Sequence, residues 1–300
     1  MKLKDIIRES INSLKAFEIE DSSIKVKLLI EYVLGISKEQ IILNEEKELT
    51  ESEILKINSL LDKIKSGVPI QYIINKQEFM GMEFYVNENV LIPQPDTEIL
   101  VEEVIKYCNK LRHNQENNET NHKTSEKECR EKNKPIKILD LCTGSGIIGV
   151  SLCKYLENVE MYASDISEKA LEVAKKNAKK HNANINFICS DMFKNIEEKE
   201  FDIIVSNPPY IESNIINNLS KEVQNEPKLA LNGGEDGLDF YRIISENTNK
   251  YLKENGIIFL EIGYDQKEKV EKIFSNYNYY RNIECVKDLS GNNRVIIVKK

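Results

Sequence analysis

The chain has 300 residues, of which 40% are hydrophobic and 31% are charged, and its formal net charge at pH 7 is −8. This composition is typical of a globular protein with room for one large domain and one small one. The acidic charge argues against a general binder of nucleic-acid backbones, which requires clustered Lys and Arg. The sequence has no run of about 18 apolar residues and no signal-peptide core, so we expect no transmembrane helix and a cytoplasmic location.

Cysteine and histidine are scattered along the chain. The six cysteines stand at positions 108, 129, 142, 153, 189 and 285, and none of them forms a C-x-x-C pair. We therefore expect free, buried thiols in a reducing compartment, and neither a metal site nor disulfides.

Residues 1–75 carry apolar side chains at helical spacing. Thr50 and Glu53 form a capping box at the start of one helix, and Gly67 follows its end. We predict a small helical bundle that docks a partner or supports the main domain. Two short apolar runs around a glycine then predict a β-hairpin linker over residues 76–90.

The rest of the chain, residues 91–300, contains a second domain with one interruption. Residues 112–134 are rich in Asn, Glu and Lys and almost free of apolar side chains, which predicts a flexible insertion. From Lys134 onward, strands alternate with helices, so we predict an α/β domain whose mostly parallel sheet is covered on both faces. Such sheets bind ligands beyond the carboxyl ends of their strands. The predicted strands are Ile136–Leu141, Met161–Asp165, Ile185–Cys189, Phe201–Ser206, Gly256–Ile262 and Arg294–Lys299.

A turn of small residues follows the first of these strands. Residues 140–146 read Asp-Leu-Cys-Thr-Gly-Ser-Gly and lead into a helix from about Ile147. The small residues let a ligand approach the backbone, and the free N–H groups of the helix N-terminus suit a carboxylate. The turn is not a P-loop, since no Gly-Lys-Ser/Thr follows. Cys142 also replaces the first glycine of the pattern G-x-G-x-x-G, and a purely structural turn is the alternative interpretation.

Acidic residues follow the next two strands. Asp165 stands 25 residues after Asp140 (165 − 140), where a carboxylate can accept hydrogen bonds from both hydroxyls of a ribose. That geometry suits NAD and S-adenosylmethionine equally. Asp191 follows the third strand, in a position either to face an adenine amino group or to cap a helix.

The most specific motif, Asn207-Pro208-Pro209-Tyr210, follows the fourth strand. A planar amide nitrogen is a poor nucleophile because it shares its lone pair with the carbonyl. The side-chain oxygen of Asn207 and the main-chain oxygen of Pro208 can accept its two N–H bonds, and the prolines keep these acceptors rigid. Tyr210 offers a flat surface to the planar group. The motif therefore indicates methyl transfer to a planar nitrogen, and a proline-stiffened turn is the alternative.

The order and spacing of its motifs make the chain resemble, almost end to end, the release-factor glutamine methyltransferases of the HemK/PrmC type. The resemblance implies a class I methyltransferase domain that uses S-adenosylmethionine, and a helical N-terminal domain that recognises a peptide chain release factor. The substrate would be the glutamine of the Gly-Gly-Gln loop of that factor. The matching stretches are Gly67–Tyr72, Glu78–Met82, Leu91–Glu98, Asp140–Gly146, Asn207–Tyr210 and Asn225–Pro227.

Carried over motif by motif, the resemblance assigns residues to roles. Asn207, Pro208 and Tyr210 would be catalytic, and the same three residues with Pro209 would hold the substrate glutamine. Gln94 departs from the family, which usually has Arg there, so we expect no salt bridge at that position. We expect a monomer without metal, membrane contact or direct nucleic-acid contact. The cofactor would be bound by Asp140, Cys142, Thr143, Gly144, Ser145, Gly146, Asp165, Asp191, Met192 and Asn207.

Three other functions stay open from the sequence. The same motif suits methyl transfer to the exocyclic amine of adenine in DNA or RNA, although such enzymes need a cationic surface that this acidic chain does not indicate. A second is a non-catalytic binding module of the same fold, against which the intact Asp165 and Asn207 argue. A third, an NAD-dependent oxidoreductase, shares the glycine-rich turn but gives no role to residues 207–210.

Overall fold

The structure is a computed structural model that describes residues 1–117 and 134–300. Over these residues a helical bundle is followed by a two-stranded hairpin and then by a seven-stranded sheet with helices on both faces. The helices are α1 (Leu3–Ala16), α2 (Ser22–Leu34), α3 (Lys38–Leu43), α4 (Glu51–Lys65), α5 (Ile70–Ile74), α6 (Asp96–Asn117), α7 (Ile147–Tyr155), α8 (Glu168–Lys180), α9 (Lys221–Gln224), α10 (Lys228–Leu231), α11 (Asp239–Asn247) and α12 (Lys267–Ser275). The strands are β1 (Gln77–Phe79), β2 (Met82–Phe84), β3 (Ile136–Leu141), β4 (Val159–Asp165), β5 (Ile185–Cys189), β6 (Phe201–Ser206), β7 (Leu252–Glu261), β8 (Ile283–Lys287) and β9 (Asn293–Lys299). None of the helices described is long and apolar enough to cross a membrane.

Helices α1 to α5 pack around a core of their own. The predicted capping box at the start of α4 is confirmed, since the Thr50 hydroxyl accepts the Glu53 N–H at 3.2 Å and the Glu53 carboxylate accepts the Thr50 N–H at 2.7 Å. One of the apolar residues at helical spacing, Phe17, lies outside this core and is 61% exposed. Phe17 is exposed because α1 ends at Ala16 and Phe17 is its C-cap.

The segment predicted as a flexible insertion, residues 112–134, differs from the structure at its start. Residues 112–117 continue α6 to Asn117. The sequence has no Gly or Pro between Asp96 and Asn117 that would interrupt this helix. Residues 118–133 lie outside the described part of the chain.

The sheet has the strand order β5-β4-β3-β6-β7-β9-β8. Strands β3 to β7 are parallel, and β9 runs antiparallel to both of its neighbours, so the predicted mostly parallel sheet is confirmed. The sequence analysis missed β8 because that strand is short, carries two charged residues and lies at the sheet edge with partly buried side chains.

Each strand sends alternate side chains to opposite faces, and the two faces have separate cores. In β7, Ile257 and Phe259 join the core covered by α6 and α7. Ile258 and Leu260 join the core covered by α11 and α12. This period of two explains why strands buried on both faces read as continuous apolar runs in the sequence.

The order of the strands reverses between β3 and β6. The chain adds β4 and β5 on one side of β3, then crosses back to place β6 on the other side. Leu141 and Ser206, the last residues of the two strands, are paired in register, and the Ser206 hydroxyl donates to the Leu141 carbonyl at 2.7 Å. The two motifs that follow these residues therefore begin side by side at a switch point of the sheet, where ligands of such folds bind.

A buried carboxylate, Glu226, joins the bundle to the rest of the protein. Glu226 is 7% exposed, and its Oε2 accepts the Ile92 N–H at 2.8 Å. Burial raises the pKa of Glu226 to about 7, and the hydrogen bond from the Ile92 N–H limits the rise. The neighbouring Asn225 donates its side-chain N–H to the Gly67 carbonyl at 3.1 Å. Contacts of this loop thus reach both the bundle and the segment that follows the hairpin.

We expect Glu226→Ala to lower the free energy of unfolding by about 1–3 kcal/mol, because the buried Ile92 N–H loses its acceptor. Glu226→Gln keeps an acceptor oxygen and should cost less. Urea denaturation measures both variants, with Glu235→Ala, which changes an exposed glutamate that follows α10, as control.

The same residue gives the protein a predicted pH dependence. The folded state holds a proton on Glu226 up to a pKa of about 7, whereas an unfolded glutamate loses it near its usual value of 4.5. The unfolding free energy contributed by this group therefore falls as the pH rises through that window. Glu226→Gln should flatten the dependence, and a pH slope equal to that of the wild type would contradict the assignment.

Candidate active site

The carboxyl ends of β3 to β6 line a cavity of about 260 Å³. The opposite wall comes from the segment before α6, the loop around Pro227 and Phe240 of α11. Of the residues predicted to form the site, Asp140, Gly146, Pro208 and Tyr210 do not line this cavity in the described structure. Those that do line it are Cys142, Thr143, Gly144, Ser145, Asp165, Asp191, Met192, Asn207 and Pro209.

The turn after β3 is built from left-handed residues. The φ angles of Cys142, Gly144 and Gly146 are 59°, 54° and 81°. A Cβ added to Gly146 would lie 3.0 Å from the Cβ of Ala174, so the start of α7 packs closely on α8. A Cβ added to Gly144 would meet no atom within 4 Å. Gly144 therefore leaves open space where a ligand can approach the backbone.

Asp165 is held by the backbone on both of its carboxylate oxygens. Its Oδ2 accepts the Gly144 N–H and its Oδ1 accepts the Ser167 N–H, both at 2.9 Å. Burial raises the pKa of Asp165, and these backbone hydrogen bonds oppose the rise. Each oxygen keeps a further lone pair, so the carboxylate can still accept hydrogen bonds from two hydroxyls. Asp165 is thus orientated before any ligand binds.

Asp140 lies fully buried under the turn. Its Oδ2 accepts the Thr143 hydroxyl at 2.6 Å, and its Oδ1 has no hydrogen-bond partner among the described residues. Burial raises the pKa of Asp140 to about 7. A buried acceptor without a partner is costly, so its free oxygen suits a donor such as an ordered water under the turn.

The motif after β6 is fixed by neighbours on several elements. The Asn207 side-chain N–H donates to the Thr97 hydroxyl oxygen at 3.1 Å, and the Tyr210 hydroxyl donates to Glu261 at 3.4 Å. Gln266 donates to the Tyr210 carbonyl at 2.9 Å. A Cβ on Gly233 would lie 2.7 Å from the Tyr210 Cα, so only glycine fits there. The side-chain oxygen of Asn207 is left as the end that can receive a donor.

Three residues of this network were missed in the sequence analysis. Thr97 lies in the matching stretch Leu91–Glu98, to which no chemical role was given. Glu261 had a detectable signal, since it is the only charged residue of the predicted strand Gly256–Ile262. For Gln266 we find no sequence signal, because its contacts depend on the packing of α12.

Asp191, Met192 and Gln94 line the cavity, and each contacts a neighbouring residue. Asp191 forms an ion pair with Lys194 at 2.6 Å, and Met192 contacts the Cys142 thiol at 3.7 Å. Gln94, at the position where the family usually has Arg, donates to the Ile92 carbonyl at 3.1 Å. The prediction that the cysteines are buried is wrong at Cys189, which is exposed because it ends an edge strand. Over the described ranges, no group of three His, Cys, Asp or Glu could hold a metal ion.

Comparison with known proteins matches both parts of the chain. Residues 5–74 match the PrmC N-terminal domain, and residues 127–236 match the Methyltransferase small domain. The release factor glutamine methyltransferase of Clostridium acetobutylicum is 40% identical over 306 residues, which cover 99% of this chain and 98% of that protein. This chain belongs to the release factor glutamine methyltransferase family. The family and the α/β fold with a helical N-terminal region, both predicted from the sequence, are confirmed.

Two further comparisons define the limits of the match. The bifunctional methyltransferase of Rickettsia bellii is 39% identical over 302 residues, which cover 98% of this chain but 54% of that protein. The chain thus spans about half the length of that relative. The solved hMettl16 catalytic domain in complex with MAT2A 3′UTR hairpin 6 has a TM-score of 0.53 and 14% identity, over 72% of this chain and 75% of that one. That likeness shows the class I methyltransferase fold alone.

The methyl donor of this family is S-adenosylmethionine, and the residues of the cavity fit it. Asp165 presents a fixed carboxylate to a ribose, and Gly144 leaves space beside the backbone. The N-terminus of α7, whose first residues Ile147 and Ile148 line the cavity, suits the carboxylate group of the amino-acid part.

We expect Asp165→Ala to weaken binding of S-adenosylmethionine by roughly 10- to 100-fold, since hydrogen bonds to a charged group contribute about 1.5–3 kcal/mol. Titration calorimetry measures the affinity. Glu168→Ala, which changes an exposed carboxylate at the start of the following helix, should leave it unchanged. An unaltered affinity in Asp165→Ala would show that Asp165 does not hold the ribose.

Proposed function

We propose that this protein transfers the methyl group of S-adenosylmethionine to the side-chain amide nitrogen of the glutamine in the Gly-Gly-Gln loop of peptide chain release factors. The observation that carries the proposal is the orientation of the Asn207 side-chain amide. Its N–H is engaged by Thr97, so its oxygen is the free end of the side chain at the wall of the cofactor cavity. Membership of the family supports the choice of substrate.

The proposed reaction depends on placing a poor nucleophile. S-adenosylmethionine supplies an electrophilic methyl group on a sulfonium. The Asn207 oxygen and the Pro208 carbonyl accept the two N–H bonds of the glutamine amide, which fixes the nitrogen and shifts electron density toward it. The nitrogen forms a bond to the methyl carbon as the carbon–sulfur bond breaks, and one N–H proton then leaves to solvent. Alignment of two bound reactants contributes about 7–11 kcal/mol to such reactions, so no strong base is needed.

The backbone of the motif is suited to this positioning. Pro208 and Pro209 are buried, and a Cβ at Gly237 would lie 2.4 Å from the Tyr210 carbonyl oxygen. The loop of residues 233–237 therefore packs directly against the backbone of Tyr210 and leaves the motif no room to move. The Tyr210 hydroxyl is bonded to Glu261, which holds the ring in one orientation for contact with a planar amide.

For the rest of the chain we keep the predicted division into residues 1–75, 76–90 and 91–300. We propose that the bundle recognises the release factor and that residues 91–300 carry out catalysis. The bundle exposes large apolar side chains, among them Ile42 at 68% and Leu43 at 81%, which a protein partner can cover. Because release factors act in translation, we place the protein in the cytoplasm, and we propose that it acts as a monomer.

Methyl transfer from labelled S-adenosylmethionine to purified release factor tests the proposal. We expect label on the normal factor and none on a factor whose loop glutamine is changed to Ala. RNA and DNA are the control substrates, because the same acceptors suit the exocyclic amine of adenine. Label on nucleic acid and none on the factor would replace the proposed substrate, and the net charge of −8 argues against that result.

Asn207→Ala removes the acceptor from the site. We expect turnover to fall by roughly 100-fold or more, the size seen when one preorganised polar contact to a reacting group is removed. Affinity for S-adenosylmethionine should change little, since the ribose and amino-acid contacts remain. The exposed Asn218→Ala is the control. Near-normal turnover of Asn207→Ala with the release factor would refute the role of Asn207.

A further inference from the structure

A second buried carboxylate, Glu261, stands level with the catalytic motif. Strands β6 and β7 pair Ser206 with Leu260, so the next residues along the two strands are Asn207 and Glu261. Glu261 is 2% exposed, and its Oε2 has no hydrogen-bond partner in the described part of the chain. Nothing in the proposed reaction uses this group directly.

Glu261 is connected to the motif at two points. It accepts the Tyr210 hydroxyl at 3.4 Å, and the Thr97 hydroxyl lies close enough to lower the pKa of Glu261 as a donor does. Thr97 is 1% exposed, and its oxygen accepts the Asn207 side-chain N–H at 3.1 Å. Glu261, Thr97 and Asn207 therefore lie in a buried polar chain, in which the Thr97 hydroxyl stands between the carboxylate and the amide.

The protons of this chain decide which end of the Asn207 amide faces the cavity. An ionised carboxylate only accepts, so it takes the single proton of the Thr97 hydroxyl. The Thr97 oxygen can then only accept from Asn207, and this requires the NH₂ end of the amide. The reversed amide would place two acceptor oxygens against each other, with one of them buried and unpaired.

We propose that Glu261 and Thr97 are positioning residues that turn the oxygen of Asn207, and not its nitrogen, toward the substrate amide. This inference rests on the proposed function, because that reaction needs an acceptor at Asn207. An NH₂ group in that position would repel the N–H bonds of the glutamine. Glu261 also orientates Tyr210 through its hydroxyl, so one carboxylate sets two side chains of the motif.

The charged surroundings of Glu261 give the arrangement a pH dependence. Burial raises the pKa of Glu261 to about 7; Thr97 and Arg294 oppose the rise, and Asp96 favours it. Arg294 is held by Asp96 at 2.9 Å and by Asp288 at 3.1 Å, and the Tyr241 hydroxyl donates to the Glu261 carbonyl at 2.9 Å. Below that pKa, a protonated Glu261 can donate to Thr97. The Thr97 hydroxyl is then free to donate to the Asn207 oxygen, and the amide can reverse.

The test compares four variants of the full chain. Thr97→Val removes the hydroxyl with little change of shape, Thr97→Ser keeps it, and Glu261→Gln removes the charge. Thr248→Val removes another buried hydroxyl, one that donates to the Ile244 carbonyl away from the site, and is the matched control. The measurements are kcat for methyl transfer to the release factor, the KM of the factor, affinity for S-adenosylmethionine and the pH profile of kcat.

We expect kcat of Thr97→Val to fall by roughly 10- to 100-fold, the loss typical of a misaligned reacting group, with cofactor affinity within about twofold of the wild type. Thr97→Ser should recover most of the rate. The wild type should lose kcat on the acid side of pH about 7, and Glu261→Gln should show a low rate without that limb. Wild-type kcat in Thr97→Val, or the same loss in Thr97→Ser and Thr97→Val, would overturn the positioning role.

A readout without turnover separates this inference from the proposed function. With ¹⁵N-labelled asparagine, the side-chain NH₂ signal of Asn207 is assigned by its loss in Asn207→Ala. We expect it to be protected from exchange in the wild type and unprotected in Thr97→Val. If the wild type methylates no substrate, the proposed function fails while this signal still decides the orientation of Asn207. An NH₂ signal equally exposed in both proteins would overturn the inference.

Discussion

The parallel pairing of β3 with β6 is the contact on which the site depends. Neither strand carries the chemistry, yet their last residues, Leu141 and Ser206, are paired and joined by a hydrogen bond of 2.7 Å. The turn that receives the cofactor and the motif that receives the substrate both start at this pair. A shift of register between the two strands would exchange the faces of one strand and separate the two motifs, so the apolar cores that fix the register also fix the chemistry.

Around this pair of residues, the site is built by orientating hydrogen-bond acceptors and not by clustering charged side chains. Asp165 is orientated by two backbone N–H groups, and Asn207 is orientated by Thr97. Both are polar side chains whose unused lone pairs face the cavity. Preorganised acceptors of this kind need no rearrangement when substrate binds, which is where electrostatic catalysis gains its advantage over water. The glycines at 233 and 237 serve the same end by allowing the backbone behind Tyr210 to approach closely.

The sequence predicted most of the sheet and the residues that come from single motifs. Local patterns were sufficient for the capping box at Thr50, the parallel strands and the cluster of predicted residues at one edge. They were not sufficient for contacts between distant segments. Thr97 meets Asn207 across 110 positions of sequence, and Glu226 meets Ile92 across 134. The end of α6 and the edge strand β8 were also missed, because polar residues are compatible with either a solvated helix or a loop, and an edge strand has a weak apolar pattern.

The attachment of the bundle through residues 222–226 has a consequence for which proteins can be modified. Glu222 pairs with Lys25 of α2, Asn225 holds Gly67, and Glu226 holds the wall of the cavity. These contacts set one distance between any partner gripped by the bundle and the oxygen of Asn207. Under the proposed function, the protein would therefore select its substrate by the distance between the bound surface of the partner and the glutamine. A glutamine reaches Asn207 only when it lies at a matching distance from the surface that the bundle binds. A short peptide with the same three residues would present the glutamine without any contact to the bundle.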